Sequence, residues 1–196
     1  MRAARILCLS LLVTACGPAP APTTTVSPAD SPTSVASAPR IAQPPVSPPV
    51  PPGTNLPAFA CADASGGKTG VANATTARVA EQIGYDRFVL QFDSTVPSYT
   101  VKRQATPTFP SGASGQTITL SGTSGVLIAV QTATGANTFT GPTDLTHGEY
   151  LVIKEARLTQ DFEGHLSWGL GLGKTACMRV FTLTDPDRLV VDLSTT

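Results

Sequence analysis

Charge is the scarcest property of this chain. Only 13% of its 196 residues are charged, and 13 Lys and Arg balance 13 Asp and Glu. No run of basic residues occurs, so the positive footprint that nucleic-acid binding needs is missing. Nucleic acid is not an expected partner, and charge alone would not hold the chain on an anionic membrane. Histidine is nearly absent too. His147 and His165 stand alone, whereas zinc takes three or four ligands at close spacings. No metal and no cofactor is expected. The longest apolar run, residues 6–13, is far short of the roughly 20 residues a spanning helix requires. A Gly-x-Ser-x-Gly elbow is also lacking, which removes one common hydrolase signature.

What is present begins at the N-terminus. Arg2 and Arg5 lead into the apolar run, and Val13-Thr14-Ala15-Cys16 follows. A charged head, a short apolar stretch and small residues have the layout of a secretion signal. The last four residues resemble a bacterial lipobox, which implies cleavage before Cys16 and a lipid on its sulfur. Residues 1–15 are therefore expected to be a lipoprotein signal peptide. Residues 16–57 follow as a lipidated cysteine and a disordered linker rich in Pro, Ala, Ser and Thr. Residues 17–57 hold 13 of the 18 prolines. Such a stretch cannot bury enough apolar surface to offset chain entropy. At about 3.1 Å per residue in a polyproline II form, it would reach at most ~125 Å. The expected location is outside the cell, anchored on the outer face of the cytoplasmic membrane and extending into the wall.

Residues 58–196 suit one domain, with 10 basic and 12 acidic residues, a net of −2. Its two cysteines, Cys61 and Cys177, sit in a compartment that permits a disulfide. Free buried thiols, or half of a metal site, are the alternatives. Period-2 alternation recurs through the domain. Phe88, Leu90 and Phe92 share one face of a strand, as do Leu166, Trp168, Leu170 and Leu172, and Leu189, Val191 and Leu193. Further strands are expected near 98–104, 116–120, 125–131, 149–159 and 177–184, separated by turns rich in Gly, Pro, Ser and Asp. Residues 76–83 read equally as helix or strand. Residues 132–148 form a long polar connection, either a binding loop or a mobile one. Many short strands with frequent turns indicate an antiparallel sandwich or barrel.

Several residues invite a functional reading. Tyr85 and Tyr99 are candidates for exposed stacking, with half-buried turn packing as the alternative, and Arg87 is a third candidate for binding. Gly169 and Gly171 lie opposite the large apolar residues of their strand. Glycine in a strand marks close backbone approach, so they either receive another strand or crossing loop, or form a smooth docking strip for glycan or a partner strand. Trp168 is in phase with the core. Residues 62–69 fit a relaxed phosphate-loop pattern, but no strand and helix flank it as that chemistry requires. Asp161 and Glu163 could serve as an acid pair for glycoside hydrolysis; surface ion pairing with Arg157, Arg179 or Arg188 is the simpler expectation.

Four segments carry a family resemblance: 84–92 (Gly84-Tyr85-Asp86-Arg87-Phe88 and onward), 96–101, 161–172 and 186–193. In this order and spacing the chain resembles the actinobacterial AMIN-like domain, a relative of the AMIN modules that precede cell-wall amidases. The resemblance implies an all-β fold, an antiparallel β-sandwich of two sheets. It also implies a non-catalytic module at the cell envelope. The expected ligand is peptidoglycan or another wall glycan. The alternative is an adaptor that docks an envelope protein through a sheet edge.

Overall fold

The computed structural model describes residues 55–112 and 115–194. The expected signal peptide at 1–15, Cys16 and the Pro-rich segment up to residue 54 lie outside the described residues. In chain order the strands are β1 (Ala64–Gly66), β2 (Ala72–Gln82), β3 (Tyr85–Phe92), β4 (Tyr99–Gln104), β5 (Thr108–Ser111), β6 (Gln116–Thr119), β7 (Ser124–Gln131), β8 (Ala133–Thr134), β9 (Asp144–Thr146), β10 (Ile153–Phe162), β11 (His165–Leu172), β12 (Met178–Leu183) and β13 (Arg188–Ser194). No helix occurs among the described residues.

One sheet has six strands in the order β1-β4-β7-β11-β10-β9, and the other has five in the order β12-β13-β3-β2-β8. Pairing is antiparallel except for the short parallel contact of β2 with β8. The alternating apolar sets face one another between the sheets. Phe88 from β3 meets Trp168 from β11 at 5.4 Å between ring centroids, and both are fully buried. Phe139, from the 132–148 connection, approaches Trp168 from another side at 5.7 Å. The fold is thus an all-β sandwich whose core is built from the period-2 residues.

The ambiguous 76–83 segment is strand through Gln82, because β2 pairs with β3 from Gln82↔Tyr85 to Ala74↔Phe92, and Ile83 lies in the turn that follows. A bulge between Ala74 and Thr76 shifts the alternation, so Ala74 and Ala77 both face the core. Beyond the bulge the pairing runs without a break; the helical look of this segment comes from Ala77, Arg78, Ala80, Glu81 and Gln82, residue types that favour helix. The two-residue turn Glu163–Gly164 between β10 and β11 has both φ values positive, +49° and +75°, as a type I′ hairpin requires.

Residues 132–148 are tied into the sandwich rather than free of it. β8 and β9 lie within them. Asp161 fastens their start, accepting hydrogen bonds from Thr134 Oγ1 at 2.8 Å and from the Gly135 amide at 2.9 Å. The surface ion pairing expected for Asp161 is therefore replaced by a cap on backbone and hydroxyl. Arg157 instead pairs with Asp144 and Glu155.

The β5–β6 hairpin crosses the outer face of the six-stranded sheet and decides the role of Gly169 and Gly171. A Cβ on Gly169 would lie 2.6 Å from the buried Phe109 ring, and one on Gly171 would lie 2.2 Å from the Ser121 carbonyl oxygen. Neither glycine is a docking strip: the chain's own hairpin occupies that surface, and only glycine permits the approach. Glu155 fastens the connection that leaves the hairpin, accepting from the Ser121 amide at 2.8 Å and its hydroxyl at 2.9 Å.

Cys61 and Cys177 form a disulfide with Cα atoms 4.2 Å apart. Beside it, Ala60 and Met178 exchange backbone hydrogen bonds of 2.8 and 2.9 Å. The segment before β1 is thereby fastened to the edge strand β12, which positions Phe59 over the outer face of the five-stranded sheet.

Candidate functional site

Strand register assembles that outer face from residues far apart in sequence. Reading across β2, β3, β13 and β12, the rows are Thr76–Gln91–Arg188–Leu183, Arg78–Val89–Val190–Phe181 and Ala80–Arg87–Asp192–Arg179. A further row begins Gln82–Tyr85–Ser194. The opposite faces of the same strands supply Phe88, Leu90, Leu189, Val191 and Leu193 to the core. Four strands therefore present four arginines and one carboxylate outward, a formal +3.

At its centre lies Asp192, fully buried beneath two guanidinium groups. Arg87 grips it with both ends of a fork, Nε to Oδ1 at 2.6 Å and Nη2 to Oδ2 at 2.9 Å. Arg179 donates Nε to Oδ2 at 2.6 Å. Bidentate guanidinium–carboxylate pairs are among the stronger hydrogen-bonded contacts, and their planes fix orientation. Burial acts to lower the Arg87 pKa, but the hydrogen bond and charge of Asp192 outweigh it, leaving the guanidinium raised above its ordinary value.

Aromatic rings frame this pair. The Arg179 guanidinium carbon lies 4.6 Å from the centroids of both Phe59 and Tyr85. Arg87 lies 5.3 Å from Tyr85 and 5.5 Å from Phe181. Phe59 and Tyr85 meet at 6.1 Å, tilted by 53°. All three rings are half-buried, so each keeps part of its surface open. Guanidinium groups over ring faces are held by cation–π attraction, which makes the cluster a shaped surface rather than a set of loose side chains.

Of the residues singled out in the sequence, Tyr85 and Arg87 are part of this cluster. Tyr99 is not. It is 8% exposed, and its hydroxyl lies 2.6 Å from where a Gly66 Cβ would stand. Burial raises its pKa. Exposed stacking by Tyr99 is therefore excluded by its place in the core, with its ring lying across Gly66 of the neighbouring β1. Sequence reasoning did not find Phe59, Arg179, Phe181 or Asp192 as site residues. The outward phase of Arg179 and Asp192 was readable from alternation, but their meeting depends on the β12–β13 register.

The other candidates are structural. In residues 62–69, Ala64–Gly66 is edge strand β1, and the Lys68 amide donates to the Val96 carbonyl at 2.9 Å. Gly67, at φ +93°, is pressed against the Pro97 carbonyl. The amides are not gathered around an anion, as a phosphate loop would need. Glu163 stands exposed in its turn while Asp161 holds Thr134 and Gly135. Asp86, fully buried, accepts the amides of Val152 and Ile153 at 2.7 and 2.9 Å, joining the two sheets. Two shallow clefts of about 320 and 170 Å³ lie elsewhere, the first beside Arg103 and Ser124, the second beside Lys68 and Thr182. No group of three or more His, Cys, Asp or Glu fit for a metal occurs among the described residues, and no helix there is long and apolar enough to cross a membrane.

A family model described as the AMIN-like domain matches residues 72–195. No curated protein matches the chain. The family match begins at β2, so it takes in the arginine face but not Phe59 or Cys61.

Proposed function

The chain belongs to the AMIN-like domain family, and on that premise we propose that it is an exported, lipid-anchored binding module that holds peptidoglycan or another wall glycan without catalysis. Family membership makes it a cell-wall-associated module. The finer reading rests on one observation above all, the half-open ring and guanidinium cluster of Phe59, Tyr85, Phe181, Arg87 and Arg179. Sugar rings offer apolar C–H faces and dense hydroxyls. Aromatic side chains cover the first, and fixed guanidinium donors serve the second. The disulfide fits an exported chain. Lipidation of Cys16 would fix one end to the membrane, and the Pro-rich stretch would set the reach.

A non-catalytic role is supported by the work Asp161 already does, since it caps the start of the 132–148 connection. The test is retention of residues 55–196 on purified wall material at moderate salt. Retention that falls with Tyr85→Ala or Arg179→Ala supports the reading, and no retention of the unaltered fragment refutes it.

A second reading has its own observation. β12 is the outermost strand of its sheet, and among the described residues only Met178 at its start is bridged, to Ala60. An edge of this kind can accept a strand from an envelope protein. Capture of one defined protein by crosslinking in cells, lost when Val180 is changed to Pro, distinguishes this adaptor role from glycan binding.

A further inference from the structure

We propose that the arginine face selects saccharides bearing a carboxylate, and that Arg179 is the residue that receives that group. This rests on the reading of the face as a glycan site, and narrows it from glycans in general to acidic ones.

The first ground is charge. Residues 58–196 as a whole hold 10 basic and 12 acidic residues, yet the outward residues of β2, β3, β13 and β12 hold four arginines against Asp192 alone. An acidic domain that concentrates cations on one face favours anionic ligands there, both in steering and in contact.

The second ground is how the hydrogen bonds are spent. The Asp192 oxygens accept three charged bonds, two from Arg87 and one from Arg179. One carboxylate offsets one guanidinium, so the pair retains a net single positive charge. Arg87 commits Nε and Nη2. Arg179 commits only Nε among the described residues. A guanidinium carries five N–H donors, so four of those on Arg179 remain for a ligand or for water. Its side chain is 14% exposed, against 9% for Arg87. Arg179 is thus both the less committed and the more accessible of the two.

The third ground is preorganisation. Phe59 and Tyr85 each lie 4.6 Å from the Arg179 guanidinium, and Asp192 holds its Nε. The terminal nitrogens cannot swing freely. A planar fork already fixed in direction pairs with a carboxylate through two parallel N–H···O bonds at small entropic cost. The adjoining rings of Tyr85 and Phe59 provide the platform for the sugar that bears it. The single net charge of the Arg87–Asp192–Arg179 cluster, and the flat fork that Arg179 presents, match a planar monoanion better than a doubly charged phosphate monoester.

The decisive experiment is a titration of the full chain, labelled with 15N, using four probes: N-acetylmuramate, its methyl ester, N-acetylglucosamine and glucose 1-phosphate. The acid should perturb the arginine Nε–H signals and bind about ten-fold or more tightly than the ester, as a charge-assisted pair predicts. Arg179→Gln should erase that preference while leaving the melting temperature close to that of the parent, because Arg87 still holds Asp192 through both oxygens. Arg179→Lys should restore part of it. Equal binding of acid and ester overturns the proposal. So does an acid preference that survives Arg179→Gln, tighter binding of glucose 1-phosphate than of the acid, or no binding of any probe. Wall retention without acid preference would sink this inference and leave the wall-binding reading standing. Acid preference without wall retention would do the reverse.

Discussion

Asp192→Asn is the substitution that tests the centre of the arginine face. The change keeps the volume and one oxygen but removes the charge that two guanidinium groups share. Asp192 is fully buried, and the Arg87 and Arg179 side chains are only 9% and 14% exposed. Breaking one side of a buried pair costs about 3–5 kcal/mol, because the surviving charge stays desolvated. Here two like charges survive side by side. Total stability for a domain is only about 5–15 kcal/mol, so the loss is a large share. For a domain of this size it corresponds to a fall of roughly 10–15 °C in Tm. Urea unfolding followed by circular dichroism measures it, with the m-value as a check that the unfolded state is unchanged. Arg179→Met should cost only about 1 kcal/mol, since Arg87 keeps its two-point grip. The double variant should be more stable than the sum of the singles, because it removes one orphaned cation. A loss under about 1 kcal/mol for Asp192→Asn, or strict additivity in the cycle, would refute the account of Asp192 as the group that organises the face.

The remaining predictions concern the frame around that site. Gly169→Ala should destabilise the fold by about 1–3 kcal/mol through overpacking against Phe109, and Phe109→Leu should recover part of it; a neutral Gly169→Ala in denaturant melts would show that the hairpin gives way easily. Replacing Cys61 and Cys177 together by Ser should cost about 4 kcal/mol, since the bridge closes a loop with a sequence separation of 116. Equal midpoints for the bridged and unbridged proteins would contradict this. Asp93 accepts the Asn73 amide at 2.9 Å and its side-chain nitrogen at 2.8 Å, and those bonds hold its carboxyl below the ordinary carboxylate range. A depressed folded pKa stabilises above the unfolded value and loses that contribution as pH falls through the folded one. Asp93→Asn should therefore lower the midpoint at neutral pH, with the gap closing in strong acid. A gap that persists in acid would refute the linkage.

Much of the frame was legible because burial repeats with the pleat. Phe88, Leu90, Trp168, Leu170, Val191 and Leu193 are core residues in sequence phase and in space. Local residue type misled where it disagreed with the pleat. Helix-favouring Ala, Arg, Glu and Gln made 76–83 ambiguous, and of the hairpin that crosses the sheet face only β6, near 116–120, was legible, while the four-residue β5 was too short to show a period. Gly169 and Gly171 announced a close approach without naming the partner, because a missing Cβ records space and not identity. Tyr99 shows the same limit. Its position at the start of a strand resembled an exposed ring, and only its packing in the core, across Gly66 of the neighbouring β1, buries it.

Composition and alternation by themselves determined the β class, the core-facing residues and the availability of Cys61 and Cys177 for pairing, because each depends on local pattern or on residue type. Tertiary structure alone decided where the charge goes. Arg78, Arg87, Arg179 and Arg188 are scattered through a chain with no basic run. Antiparallel register sets them on one face, with Asp192 buried beneath two of them. The physical reason is that strand pairing joins residues across a sheet at a spacing of about 5 Å regardless of their separation in sequence, so a concentrated cationic surface can arise from a chain that is nearly neutral at every point along its length.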